Sequence, residues 1–455
     1  MVRNRLTIAV LLSLAWTAAF AQYKTAGDGT TYDIQKLAHI AGTGIISYEL
    51  EEDQPATYEL TSAITIAQGD RFVMDDGIQL RFGANVSLTV EGEADFQSTH
   101  SNTFQYSSES DTGASVCIKS ATTTEVTNCT FVGVGLELMG TGATNVRQCR
   151  FYRHDGSTAA ALYFISAGAA STVEDCHFEA CRKAAIGSAA NASQPLTIVD
   201  CTFVKNSAAN GNIPQINITA AKPLQVLGCT ITGNPDNTMV GGLGISNFMG
   251  YDADISISRC TITDNRYGIG LVGPAASISI TDNRLVNNRH EVNPMNGGSG
   301  ISLYDPYQQT HAILTGNHIE GSLWGVTVIG CQHVNLGNLE EGPDLNPGRN
   351  VFRNNGFDGQ LYDLYNNSTQ TVYAQGNTWN VSQQTQELIE TVIYHRHDNP
   401  SLGEVIYWPA ATGTGIAPTI CNKAEDHDCY DLSGRRVGQP TRKGLYIRNG
   451  RKVAY

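Results

Sequence analysis

Charged residues make up only 16% of this 455-residue chain, too few for the charge pattern of a coiled coil. Past the opening segment, no stretch approaches the roughly 18 apolar residues that a membrane-crossing helix needs, so no transmembrane segment is expected in the mature chain. No glycine-rich phosphate loop follows a strand-like run, no paired cysteines have zinc spacing, and no Ser, His and Asp stand out as a triad. What the chain does have is 46 glycines separated by short, β-prone segments, which points to an all-β protein. Its length allows one large body or two or three ordinary domains.

Arg3 and Arg5 precede an apolar run from Leu6 to Trp16, and Ala19-Phe20-Ala21 stands before Gln22. A basic start, an apolar middle and a small-x-small end read as a secretory signal peptide over 1–21. A secreted protein, extracellular or on the outer cell surface, is expected. Gln22 rather than cysteine follows the cleavage point, so no lipid anchor is expected. The formal charge is −14, unevenly spread. Two of the 29 bases lie in the leader and seven in 430–455 beside the single acid Asp431, which leaves 20 bases against 42 acids, a net of −22, in 22–429. Such a body repels nucleic acid and anionic membranes. Acidic glycans of the pectin or alginate type are disfavoured too, unless a basic patch or a divalent cation intervenes.

A short unit recurs along the chain: alternating aliphatics, then a Cys or Asn, one residue, and a Phe or aliphatic. It reads Cys129-Thr130-Phe131, Cys149-Arg150-Phe151, Cys176-His177-Phe178 and Cys201-Thr202-Phe203. It continues as Cys229-Thr230-Ile231, Cys260-Thr261-Ile262, Asn283-Arg284-Leu285 and Asn317-His318-Ile319, then less regularly at Asn350 and again at Asn377-Thr378-Trp379. The spacing averages about 28 residues, one coil of a solenoid. Within a coil the period is two, hence strand. Asn206, Asn234, Asn265, Asn288 and Asn355 each follow the Cys or Asn by five residues. Asn tolerates left-handed backbone angles and can bond its copies above and below, so a stacked Asn at a bend is expected. A third strand follows, as in Gly268-Ile269-Gly270-Leu271, and three strands with three turns make a triangular prism.

This succession resembles the right-handed parallel β-helix of pectate lyases and many bacterial surface proteins. The resemblance implies ten or more coils over 64–381 and says little of function, because the scaffold hosts lyases, hydrolases, binders and adhesins. Around it, 22–63 reads as an N-terminal β cap and 382–408 as a C-terminal cap. There Leu388, Ile389, Val392 and Ile393 share a helical face that can lid the last coil. Residues 409–420 read as a linker and 421–455 as a small β tail.

Cys129, Cys149, Cys176, Cys201, Cys229 and Cys260 occupy one position per coil, so their thiols should point in parallel, an orientation unsuited to disulfides or to tetrahedral metal binding. They are expected to form a buried, unreactive ladder. Cys421 and Cys429, in a polar segment, are open to pairing with each other. The ending Tyr430-Asp431-Leu432-Ser433-Gly434-Arg435-Arg436-Val437, with Lys443-Gly444-Leu445-Tyr446-Ile447, resembles the C-terminal sorting modules of Bacteroidetes secreted proteins. That resemblance implies recognition by the type IX secretion machinery and attachment to the cell surface. It covers only the last 26 residues, where the family has a whole small sandwich, and a basic hairpin on an acidic body is the other reading.

In β-helix lyases, acidic calcium ligands and a Lys or Arg base stand on the outer side of one sheet. The corresponding positions here, such as Glu125, Asn145, Thr172, Thr197, Gln225 and Ser256, hold no cluster of three carboxylates and no Lys. No cofactor is therefore expected; calcium stays open as a cofactor, though no cluster of ligands for it stands out. Two patches remain. Arg150, Arg153, His177 and Lys205 concentrate positive charge in adjacent coils. His177 or Lys205 is a candidate proton acceptor there, with an Arg to neutralise a sugar carboxylate; the alternative is a solvated charge ladder. Long turns at 247–254, 304–311 and 331–349 gather Tyr251, Asp252, Tyr304, Asp305, Tyr307 and His311 on one rim, with Phe248 and His333. Aromatic faces and carboxylates suit neutral sugar rings; the alternative is aromatics anchoring their own loops. His395-x-His397 is expected to solvate a helix end. The reading is a secreted, monomeric β-helix that binds polysaccharide, with a polysaccharide lyase or glycoside hydrolase and a structural or adhesive surface protein as alternatives.

Overall fold

The structure, a computed structural model, describes residues 22–48, 54–156 and 158–411, together with the backbone of four short strands between 429 and 454. The expected signal peptide over 1–21, most of the expected linker and Cys421 lie outside the described residues, as does the side chain of Cys429. The chain divides into two units, 1–413 and 414–455.

In the first unit successive coils lay their strands on one another in parallel, in register over most of the stack. Leu224–Leu227, Thr230–Thr232 and Leu243–Ser246 pair in parallel with Asp254–Ser258, Thr261–Thr263 and Ile269–Val272 of the following coil. These positions define a first, a second and a third face. The third is one 14-stranded parallel sheet running from Tyr23–Lys24 to Ile393–Tyr394. The alternation read from the sequence holds in burial: Leu224, Val226, Ile255 and Ile257 are buried while Gln225 and Ser256 reach solvent. The architecture is an all-β, right-handed parallel β-helix, each coil rising about 4.8 Å on the last.

Two left-handed bends per coil shape it. The residue before each Cys or Asn has positive φ, as at Asn128, Gln148, Asp175, Asp200 and Asp282, and in most coils so does the residue four after it, as at Arg153, Lys205, Asp264 and Asn287. Each bend turns the next side chain inward. The Cys149 amide donates to Cys176 Sγ at 3.4 Å and the Cys176 amide to Cys201 Sγ at 3.4 Å. Asn takes over the same role further on: Cys260, Asn283, Asn317 and Asn350 donate their amides to Asn283, Asn317, Asn350 and Asn377 Oδ1 at 2.8–3.1 Å. The nine described cysteines are free and buried. Beside them Phe104, Phe131, Phe151, Phe178 and Phe203 stack nearly parallel, with centroids 4.6–5.1 Å apart, in the offset arrangement that adds to area burial.

One expected rung is occupied by a different residue. Asn234 is half-exposed, and its side chain accepts only the Asp236 amide. Its place between Asn206 and Asn265 is filled by Gln215, which reaches both. The ends also extend further than the repeat indicates. Tyr23–Lys24 and Thr31–Tyr32 pair in parallel with Ile64–Ile66 and Arg71–Val73, and Val405–Ile406 pairs with Val372–Ala374. Parallel rungs thus begin at Tyr23 and end at Ile406, in coils that lack the Cys or Asn marker. Between the last rungs sits the helix Gln386–Glu390, which buries Ile389, with Val392 and Ile393 buried just beyond it. In the second unit, Cys429–Tyr430, Arg436–Val437, Leu445–Arg448 and Arg451–Ala454 form an antiparallel sheet.

Candidate functional site

On the third face the inward side chains build the core, so function falls to the outward ones. One outward row runs Gly187, Asn217, Gly244, Gly270, Ser302, Thr327 and Tyr365, each paired with the next. Small residues at the centre of that row sink the surface. Connections on both edges rise beside it: Phe248 in the turn after Leu243–Ser246, and Pro294 to Gly297 in the long connection before Ser299–Tyr304. The result is a groove of about 590 Å³.

The groove touches seven consecutive third-face strands, from Ser188 to Asn367, so it runs along the solenoid axis for about 29 Å at the β-helix rise. Among the described residues, no Asp, Glu, Lys, Arg or His lines it. Its walls are braced from behind. Arg266 donates to Asn212 Oδ1 and to the Asn296 carbonyl, clasping two connections together. Trp324 donates to the Pro294 carbonyl at 3.0 Å and stacks on Tyr365 at 5.1 Å. Tyr267 lies across the floor, where a Cβ on Gly241 would fall 2.1 Å from its ring and one on Gly270 3.0 Å from it. Burial pushes its hydroxyl up to about 12, so it is a neutral phenol at any physiological pH.

A second concavity, of about 630 Å³, lies on the first face beyond the 305–310 turn and is lined by His311, His333, Asp344, Gln332, Gln370 and Ile313. The His311 and His333 rings are 5.9 Å apart in adjacent coils, and Tyr373 follows at 6.0 Å from His333.

The rim expected from the long turns is therefore divided. His311 lines the first-face cleft and Phe248 the third-face groove. Tyr304 stands in register with Val272 and Ile329 of the groove and is 40% exposed, Tyr307 69%. Tyr251 is half-buried and its amide donates to Asn247 Oδ1; Asp252 is exposed and paired with Lys222 at 2.6 Å. Asp305 is wholly buried. It accepts the amides of Tyr307, Gln309 and Thr310 and the Thr310 hydroxyl, so its carboxylate holds its own turn and presents no oxygen to a sugar. The sequence reading missed Asn217, Pro294, Met295, Asn296 and Trp324. The signal for the wall was the long connection between Val286 and Ser299.

The basic patch stacks as its spacing indicates. Arg150 pairs with His177 in register, and Arg153 and Lys205 hold equivalent bend positions two coils apart, with Ala180 between. His177 Nε2 is 3.1 Å from Glu179, and Arg147 bridges Glu125 and Glu174. Arg150, Arg153, His177 and Lys205 line none of the concavities described here. At the C-terminal end His395 is buried, not solvating a helix end, and bonds Glu390 at 2.8 Å. Among the described residues, no group of three or more His, Cys, Asp or Glu is placed to hold a metal ion, and no helix is long and apolar enough to cross a membrane.

Residues 71–213 match the family described as the right handed beta helix region, the same class that the strand registers define. No curated protein sequence matches the chain. Among solved structures, the periplasmic alginate epimerase AlgG is similar at 10% identity and a TM-score of 0.46, over 84% of each chain. The Azotobacter vinelandii mannuronan C-5 epimerase AlgE4 A-module is similar at 11% identity and a TM-score of 0.30, over 80% of this chain and 90% of that one. Likeness at that level carries no argument about chemistry.

Proposed function

We propose that this is a secreted or surface-held protein that binds a linear, uncharged polysaccharide lengthwise along its third face. The observation that carries the reading is a groove spanning seven coils with no ionic side chain in its lining. Aromatic and amide groups arranged along an axis suit successive sugar rings, by stacking and neutral hydrogen bonds. A uronate polymer, of the kind the epimerases are named for, would bring a negative charge with each sugar to a groove without a cation, on a body of net charge −22. The same lining holds no carboxylate pair for glycoside hydrolysis and no cationic base for elimination.

Retention of the full chain on a panel of immobilised neutral and acidic polysaccharides tests this. Neutral glycans should retain it, and Ser302→Arg, on the outer side of the sheet, should abolish retention without lowering stability. Retention only by acidic glycans, or unchanged retention of Ser302→Arg, overturns the reading. Tyr304→Ala with Tyr307→Ala tests whether the 304–311 turn extends the binding surface.

A second reading, an enzyme acting on polysaccharide, is favoured by one feature: His311, His333 and Asp344 place groups capable of proton transfer in the first-face cleft. New absorbance near 235 nm would mark elimination, and new reducing ends without it hydrolysis.

A further inference from the structure

Resting on the reading of the third-face groove as a glycan site, we propose that its ligand is a polymer of N-acetylated amino sugars, whose acetamido groups are what the groove recognises. Sites for sugars rich in free hydroxyls gain most from ionised acceptors and donors, whose hydrogen bonds are the strong ones. This groove has none.

What it offers instead is neutral groups, amides above all, beside the hydroxyls of Ser246 and Ser302. Asn217, Asn296 and Asn367 line it, and none of their side-chain amides is hydrogen-bonded to a described residue. Ser299, Thr219 and Thr327, by contrast, spend their hydroxyls on each other or on backbone. A free carboxamide presents a C=O beside an NH₂, the complement of the N–H and C=O of an acetamido group. Beside these amides stand exposed alkyl, aromatic and thioether surfaces: Val272 at the end of its strand at 39%, and Met295 at 85% and Phe248 at 73% on the flanking connections. An acetyl methyl packs on such groups, whereas a free hydroxyl gains nothing from them.

An extended polypeptide is the other polymer with an amide in every unit. The groove disfavours it because the sheet's backbone N–H and C=O groups are already paired along the ladder, leaving no edge for strand addition.

Binding of the full chain to four probes of matched length separates these outcomes: β-1,4-linked hexasaccharides of N-acetylglucosamine, of glucose and of glucosamine, and an uncharged extended peptide. The N-acetylglucosamine oligomer should bind at least about tenfold more tightly than the glucose oligomer, the scale set by leaving a desolvated neutral hydrogen-bonding pair unmade. The glucosamine oligomer should bind more weakly still at physiological salt, although its positive charge favours an acidic body. Asn217→Leu should narrow the preference at least about threefold while leaving the thermal midpoint unchanged. Equal binding of the glucose and N-acetylglucosamine oligomers overturns the acetamido assignment and leaves the glycan reading intact. Tightest binding by the glucosamine oligomer or by the peptide also overturns it. Failure of every saccharide removes the glycan reading as well.

Discussion

Gln215 donates its side-chain amide to Asn265 Oδ1 at 2.9 Å while its own Oε1 accepts the Asn206 backbone and side-chain amides at 3.0 and 3.1 Å. A residue from a strand's approach thereby replaces the ladder member that the intervening coil should supply. Gln215→Leu would leave Asn265 Oδ1 and the Asn206 backbone amide without a partner and should cost on the order of 3 kcal/mol. Asn234→Ala, at the position the repeat itself designates, should cost less than about 1 kcal/mol. Denaturant midpoints of the two variants decide it; equal losses would mean that Gln215 is not the rung.

The thiols give a second test. Burial pushes Cys117 up to about 11 and Cys181 and Cys331 up to about 12, and reaction with a thiol reagent needs the thiolate. In native protein the nine buried cysteines should stay unmodified for hours and all nine should react on denaturation. Rapid native labelling at Cys201 or Cys229, read by peptide mass, would contradict the sealed ladder. Any fast label is expected on Cys421 or Cys429 alone, and only if they are not paired.

Most of the solenoid was legible because its physics is local and repetitive: an αL bend before each Cys or Asn, a two-residue period, and a stackable inward side chain. The Phe131, Phe151, Phe178 series already fixed which residues lie over which. Three things were not legible. Gln215 enters the ladder from outside the repeat position. The end coils at Tyr23 and Val405 lack the marker residue. The groove depends on an outward row, Gly244, Gly270 and Ser302, whose meaning comes from what it lacks, and on a wall from the connection before the third strand. Attention to turns after that strand found Phe248 and overlooked Met295. The inward turn of the Asp305 carboxylate was not legible either, because a turn carboxylate facing a rim and one facing its own backbone have the same sequence.

Stability should carry a pH signature from Asp363. Burial raises its carboxyl from 3.8 to about 7, against the Asn380 amide and Asn355 side chain that bond it. The folded protein therefore keeps a proton up to about pH 7 that the unfolded chain releases near pH 4. This contribution is complete below pH 4, declines as pH rises to 7 and is flat above, with a total of a few kcal/mol at most, on the order of 4. Asp363→Asn, close to the protonated form in shape, should remove that decline. His154, lowered to about 4 chiefly by burial, acts oppositely, its contribution being present above pH 6.5 and lost as pH falls toward 4. The difference between wild type and Asp363→Asn at pH 4.5 and pH 8 isolates the carboxyl; a difference independent of pH would refute the assignment.

The last coil is held by Glu390. Its Oε1 accepts His395 Nε2 at 2.8 Å and lies 3.0 Å from His397 Nδ1, and its Oε2 accepts the Tyr407 hydroxyl at 2.7 Å. His395 Nδ1 in turn accepts the Val405 amide at 2.9 Å, which fixes the ring proton on Nε2, and Val405 pairs with Val372 on the first face. One carboxylate thus ties the helix Gln386–Glu390 to the final rung. Burial alone would raise its pKa, but the bonds from Tyr407 and His395 more than offset this and hold it below its usual 4.5. A depressed carboxylate stabilises above its unfolded pKa and loses that contribution as pH falls through the folded one, so the cap should loosen below about pH 4.5. Glu390→Ala leaves the buried His395 Nε2 unpaired and Tyr407 with only its 3.3 Å contact to the Gln386 carbonyl, and should lower local stability by on the order of 2 kcal/mol, whereas Glu390→Gln, which can accept from His395 while Tyr407 turns to accept from it, should lose about 1. The readout is hydrogen-exchange protection at Val405 and along Val372–Ala374. In the wild type it should fall with acid below pH 4.5, in Glu390→Ala it should be low at every pH, and equal protection in all three proteins at neutral pH would show that the end of the solenoid is sealed by apolar packing of Ile389 and Val392 alone.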